Sequence, residues 1–157
     1  MTSTPDNTAH TRYMRHCMEL AQKASDAGEV PVGAIIVQQD TVIATACNAQ
    51  IGNCDPTAHA EIIALRAAAL SIDNYRLPGC TLYSTVEPCL MCAGAALHAR
   101  VDRVVFGAPE PRAGAVGGDI NYFASMSHVH KLELIGGVLE DECRAIIQEF
   151  FRARRAL

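Results

Sequence analysis

The apolar positions of this chain change period several times along its length, and each change marks an element. Over residues 11–27, Met14, Cys17, Met18 and Ala21 recur at the spacing of a helix with one apolar side, and Gly28 is a natural stop. Two β-rich runs follow, 34–38 and 41–46, with only Gln39-Asp40 between them, which is the pattern of a hairpin. Asp55-Pro56-Thr57 supplies helix-start chemistry ahead of an Ala-, Ile- and Leu-rich helix reaching about Leu70. After a loop over 74–79 come a strand at 81–85, a helix at 89–99 beginning at Pro88, and a strand at 103–107. A strand–helix–strand unit with so short a helix favours parallel pairing of its two strands.

Pro111 with Gly114, Gly117 and Gly118 makes 110–118 a loop, and 132–135 reads as a last strand. The final helix, 139–155, gathers Cys143, Ile146, Ile147, Phe150 and Phe151 on one side. Residues 1–8 are polar and predict a frayed end. With no repeat or low-complexity tract, the chain reads as one domain over 1–157: a three-layer α/β/α architecture with a mixed sheet of about five strands between helices.

Composition narrows the setting. Half of the 157 residues are hydrophobic, enough for a full core, yet no apolar run reaches the roughly 18 residues of a membrane span. The N-terminus lacks the basic and apolar regions of a secretory signal. Seven cysteines, odd in number and unevenly spread, argue against a disulfide framework. The expectation is a cytoplasmic protein with no membrane and no DNA partner. A formal net charge of −4 does not suit a nucleic-acid binder that uses its whole surface, although Arg152, Arg154 and Arg155 form a dense basic patch.

The candidate chemistry lies in His59-Ala60-Glu61, Pro88-Cys89 and Cys92. One imidazole and two thiolates supply three ligands of a tetrahedral zinc ion and leave a fourth position open, the mark of a catalytic rather than a structural site. Glu61, two residues beyond the histidine, is placed to carry protons. The H-x-E…P-C-x-x-C arrangement is the signature of zinc-dependent deaminases. Two other readings stay open. Cys54 or Cys80 could close the site as a fourth, structural ligand, or Cys89 and Cys92 could form a redox dithiol. Neither explains Glu61. His10, His16, His98, His128 and His130 have no ligand spacing to the cluster and read as surface or packing residues, while Cys17, Cys47 and Cys143 read as small buried hydrophobes.

Longer segments carry a resemblance. Glu29-Val30-Pro31-Val32-Gly33-Ala34, Asp55-Pro56-Thr57-Ala58-His59-Ala60-Glu61, Asn74-Tyr75-Arg76-Leu77, Glu87-Pro88-Cys89-Leu90-Met91-Cys92-Ala93-Gly94-Ala95, Arg103-Val104-Val105-Phe106-Gly107 and Phe150-Phe151-Arg152-Ala153-Arg154-Arg155 are similar to those of the bacterial tRNA-specific adenosine deaminases. That family lies in the cytidine deaminase-like superfamily. The resemblance implies hydrolytic deamination of adenosine to inosine at the wobble position of a tRNA anticodon stem-loop. It also implies one Zn2+ per subunit, held by His59, Cys89 and Cys92, with Glu61 as the catalytic proton carrier, and a homodimer. It assigns Asn48 to the target base, Val30 and Ala60 to the pocket wall, and Phe150, Phe151, Arg152 and Arg155 to the face that receives the RNA. Departures from the family wording fall at Pro109-Glu110-Pro111 and over 119–128. Two rival functions share the motif: a deaminase of free guanine or cytosine, and a non-catalytic RNA-binding or partner subunit that keeps zinc for stability.

Overall fold

The computed structural model describes residues 7–157. Its elements run in the order α1 (Asn7–Asp26), β1 (Gly33–Gln38), β2 (Thr41–Cys47), α2 (Ala60–Ile72), β3 (Cys80–Val86), α3 (Leu90–Ala99), β4 (Arg103–Ala108), α4 (Tyr122–Ser125), β5 (Glu133–Ile135) and α5 (Glu140–Arg155). The five strands form one sheet in the order β2-β1-β3-β4-β5. β1 is antiparallel to both β2 and β3, whereas β3, β4 and β5 are parallel, so the sheet is mixed.

Every residue of β3 is buried, as befits a central strand covered on both faces. Alternation sends its side chains, and those of its neighbours, into two cores. Ala34, Ile36, Leu82, Val104 and Phe106 pack with Ala60, Ala64 and Leu65 of α2 and Ala93 and Ala96 of α3. Ile35, Val37, Tyr83 and Val105 pack on the opposite face with Met14, Cys17 and Leu20 of α1 and Cys143 of α5. Alanines on α2 and α3 bring those helices close to the sheet. On the other side Gly33 does the same for α1, since a Cβ there would lie 2.8 Å from the Ala21 nitrogen.

The hairpin between β1 and β2 is closed by Gln39 and Asp40, both at positive φ (49° and 60°), the backbone a two-residue hairpin turn needs. Helix starts differ most from expectation. α1 begins at Asn7 rather than near Thr11, so Asn7 and Thr8 are helical rather than frayed; the rest of the expected frayed end lies outside the described residues. The first turn is held from outside the helix, because His10 is buried with its Nδ1 2.9 Å from the Tyr83 hydroxyl of β3. Asp55 starts a turn rather than α2: its carboxylate accepts the Thr57 N–H (2.8 Å) and hydroxyl (2.7 Å). The helix follows only at Ala60. α4, which the sequence pattern did not raise, is a single turn begun by Asn121, whose side chain accepts the Ala124 N–H.

Candidate active site

Two helix starts meet at one corner of the α2–α3 layer. His59 is the residue immediately before α2 and Cys89 the residue immediately before α3; both have extended backbone at φ −73°. Neither side chain caps its own helix. Both point instead into a common corner, with Cys89 Sγ 3.6 Å and Cys92 Sγ 3.4 Å from His59 Nδ1. The donor atoms of the three residues lie within 4.8 Å of one another, and among the described residues no fourth donor joins them. Cys54 is exposed and Cys80 is buried at the start of β3, so neither closes the site.

The spacing can be tested against zinc. Tetrahedral angles about an ion with Zn–N of ~2.05 Å and Zn–S of ~2.3 Å place nitrogen and sulfur ~3.6 Å apart. The observed separations match. The chemistry of the donor set agrees with the distances. The Cys89 thiol is pulled down to about 4, first by the hydrogen bond from Cys92 and then by His59, against the cost of burial. The Cys92 thiol is pushed up, above all by that same bond. Two adjacent sulfurs cannot both be thiolates unaided, and a dication is what allows it. The three residues therefore fit one Zn2+.

Glu61, in the first turn of α2, is 4% exposed, and the Ser84 hydroxyl of β3 donates to its Oε1 at 3.3 Å. Burial raises its pKa, opposed by the hydrogen bond from Cys92 and the nearby charge of His59. Asn48, the residue immediately after β2, accepts the Ala60 N–H on its Oδ1 at 2.8 Å. That bond holds the first turn of α2 and leaves the amide NH2 for another partner.

A cavity of about 270 Å³ opens in front of these groups, lined among others by Val30, Asn48, His59, Glu61, Cys89 and Phe151. A wider groove of about 620 Å³ shares Glu110, Ile147 and Phe151 with the cavity and carries Arg112, Arg152 and Arg155. Not every residue singled out in the sequence arrives here. Ala60 is fully buried in the core between α2 and the sheet. Phe150 is buried on the other side of α5, where the Arg154 guanidinium lies 4.5 Å from its ring centroid and donates to the Gly28 carbonyl. The apolar stripe of α5 is thus two lines, with Ile147 and Phe151 towards the cavity and Ile146 and Phe150 towards α1.

Residues 7–108 match the family described as the cytidine and deoxycytidylate deaminase zinc-binding region. The chain is 49% identical over 145 residues to the tRNA-specific adenosine deaminase of Haemophilus influenzae, covering 92% of this chain and 84% of that one. It belongs to the tRNA-specific adenosine deaminases. The enzyme of that name from Bacillus subtilis is 41% identical over 143 residues, covering 91% of this chain and 89% of its own. A solved structure from work on A-to-I editing by tRNA:A34 deaminases at the wobble position superimposes with a TM-score of 0.83 at 38% identity, over 87% of this chain and 99% of that one. A guanine deaminase from Nitrosomonas europaea superimposes at 0.80 with 25% identity, over 89% of this chain and 83% of that one. The fold is therefore that of the cytidine deaminase-like enzymes. No helix among the described residues is long and apolar enough to cross a membrane.

Residue spacing did not raise the groups that brace this deaminase's cavity. Glu29 is buried, and its carboxylate takes the Ile51 N–H on both oxygens (2.7 and 3.1 Å), tying down the loop after β2. Glu87 is also buried, at the end of β3's run into the zinc corner. Each opens one of the motif segments, and an acid directly before a proline-containing apolar run was the signal available.

Proposed function

We propose that this chain deaminates adenosine to inosine at the wobble position of a tRNA anticodon loop, acting in the cytoplasm as a homodimer with one zinc ion per subunit. The observation that carries the reading is a buried carboxylate, Glu61, set beside a three-donor zinc corner in a cavity that continues into an arginine-lined groove. A free-base deaminase needs the first part of that arrangement but not the second.

A cavity of about 270 Å³ has room for one base. The target nucleotide must leave the stack to enter, so an unpaired loop is the natural substrate. Asn48 offers its NH2 end to a ring acceptor of the entering base, while its Oδ1 stays on Ala60. Val30 and Phe151 supply apolar walls. Zinc, when bound, supplies Lewis-acid activation of a water molecule. Glu61 is the proton carrier: it would take one proton from water as the water oxygen bonds to C6 and pass that proton to N1 of adenine, then move the proton of the new C6 hydroxyl to the exocyclic amine, so that the C6–N bond breaks and ammonia leaves. Its burial raises its proton affinity above that of a free carboxylate, which suits a group that must both accept and donate. Ser84 fixes the orientation of the carboxylate.

Outside the cavity, Phe151 is 42% exposed and available to stack on a flanking base, and Arg152 and Arg155 lie where they neutralise the strand entering the groove. Support for a dimer is the apolar exposure of Leu70, Leu90 and Met91 on α2 and α3, side chains a monomer would leave in water.

The test offers zinc-loaded protein an adenosine-containing anticodon stem-loop, free adenosine, guanine and cytosine in parallel. Ammonia release and inosine formation are followed. Turnover on the stem-loop is expected. Turnover confined to guanine or cytosine would overturn the RNA reading and keep the zinc chemistry. Sedimentation of the same sample reads the subunit number.

A further inference from the structure

Glu87 immediately precedes Pro88 and the zinc ligand Cys89, yet its carboxylate is not among the metal corner's donors and is bonded to a loop. It is 6% exposed and accepts three backbone N–H groups: that of Glu110 at 3.1 Å on one oxygen, and those of Val116 (3.1 Å) and Gly117 (3.0 Å) on the other. A buried carboxylate needs such donors, and three from one loop hold both ends of that loop at once. The main chain reinforces the contact. The Ala115 N–H donates to the Pro88 carbonyl at 3.1 Å, the Glu87 N–H to the Ala108 carbonyl at 2.8 Å, and Cys89 bridges Gly114.

The loop is then braced a second time from within. The Glu110 carboxylate accepts the N–H groups of Arg112 (3.2 Å) and Ala113 (2.8 Å). Glu110 and Ala113 line the cavity, and Arg112 stands in the basic groove. The order of support runs from Glu87 to Glu110 to Arg112. Pro109 and Pro111 restrict the backbone on either side of Glu110, so the turn has little freedom to find another pose.

We infer that Glu87 is a positioning residue for substrate: it fixes the 110–117 loop as one wall of the cavity and one bank of the groove. It sets how tightly RNA is held and leaves the chemical step to the zinc corner and Glu61. This rests on the tRNA reading for the identity of the substrate, but the clamp itself does not.

Two variants test it, each by kinetics on the stem-loop, by zinc content and by amide hydrogen exchange. Glu87→Gln replaces one acceptor oxygen with a donor that opposes a loop N–H. Gly114→Ala leaves the carboxylate intact but puts a Cβ against the Glu110 carbonyl oxygen and 2.5 Å from the Glu87 Cδ, so the loop must shift away from the clamp. Both should raise KM about tenfold or more while kcat stays within about twofold, with zinc at the wild-type level. The amides of Glu110, Val116 and Gly117 should exchange faster. A residue that served only folding would lower the active fraction and leave KM unmoved. Wild-type exchange at those amides, an unchanged KM, or a loss carried by kcat together with zinc would each overturn the proposal. If wild-type protein ignored the stem-loop altogether, the function would fall, and exchange in the two variants would still decide the clamp.

Discussion

The floor and the rim of the cavity are built by different means. The floor comprises His59, Glu61, Cys89 and Cys92, and all four sit within the first turn of α2 or α3, or immediately before it. Those helices lie on a sheet whose central strand is wholly buried. The rim comprises the loop after β2, the 110–117 loop and the end of α5. Its two loops are held by side-chain carboxylates gripping backbone N–H groups: Glu29 on Ile51, Glu87 on three amides, and Glu110 on its own turn. Regular elements fix the reacting groups to fractions of an ångström, while loops pinned at a few points can change their wording without disturbing the chemistry. Pro109-Glu110-Pro111 lies in this second kind of region. The contrast assigns rate to the floor and grip to the rim.

The strongest way to break that division is at the metal. Cys89→Ala should lose bound zinc, read by elemental analysis, and with it all measurable turnover; retained zinc with retained turnover would mean the floor is not the three-donor corner. Next comes Glu61→Gln, which should keep one zinc per chain and lower kcat about a thousandfold, within the range that positioned proton carriers contribute. Normal turnover in that variant would move the proton work elsewhere.

Asn48→Ala sits on the boundary, since one end of the amide holds the Ala60 N–H and the other faces the cavity. It should lower kcat/KM about thirtyfold through both kcat and KM. An effect on KM alone would place Asn48 wholly on the rim. Replacing Arg152 and Arg155 together by alanine should raise KM about tenfold at low salt and reduce the salt slope of binding by about 1.4, with kcat unchanged. The smallest effect is the control. Arg154 belongs to the same basic run but contacts Phe150 and Gly28 on the far side of α5. Arg154→Ala should lower Tm by about 2 °C and leave both kinetic constants alone. A KM change there as large as that of the double variant would erase the two-sided reading of α5.

How much of this was legible depended on whether the signal was local. The hairpin at Gln39-Asp40, the parallel β3–β4 unit and the amphipathic α5 are written in adjacent residues, and they are where the pattern placed them. The zinc corner was legible because its ligands recur at fixed spacing beside helix starts. The start of α2 was misplaced because Asp55 is equally good at beginning a turn, and only the geometry around Thr57 distinguishes the two. The start of α1 was misplaced because polar residues gave no period to read, while Tyr83, far along the chain, supplies the contact for His10.

The sequence by itself determined the layer order, the reactive groups and the kind of ion they take, since each follows from residue type and short-range spacing. The tertiary structure alone decided which of two adjacent phenylalanines faces the cavity, which of three arginines reaches the groove, and which buried acids brace the loops. Those choices turn on distances between segments remote in sequence. A helix face resolves into two sides only once something is packed against each of them, and a carboxylate becomes a clamp only once a loop has folded over it.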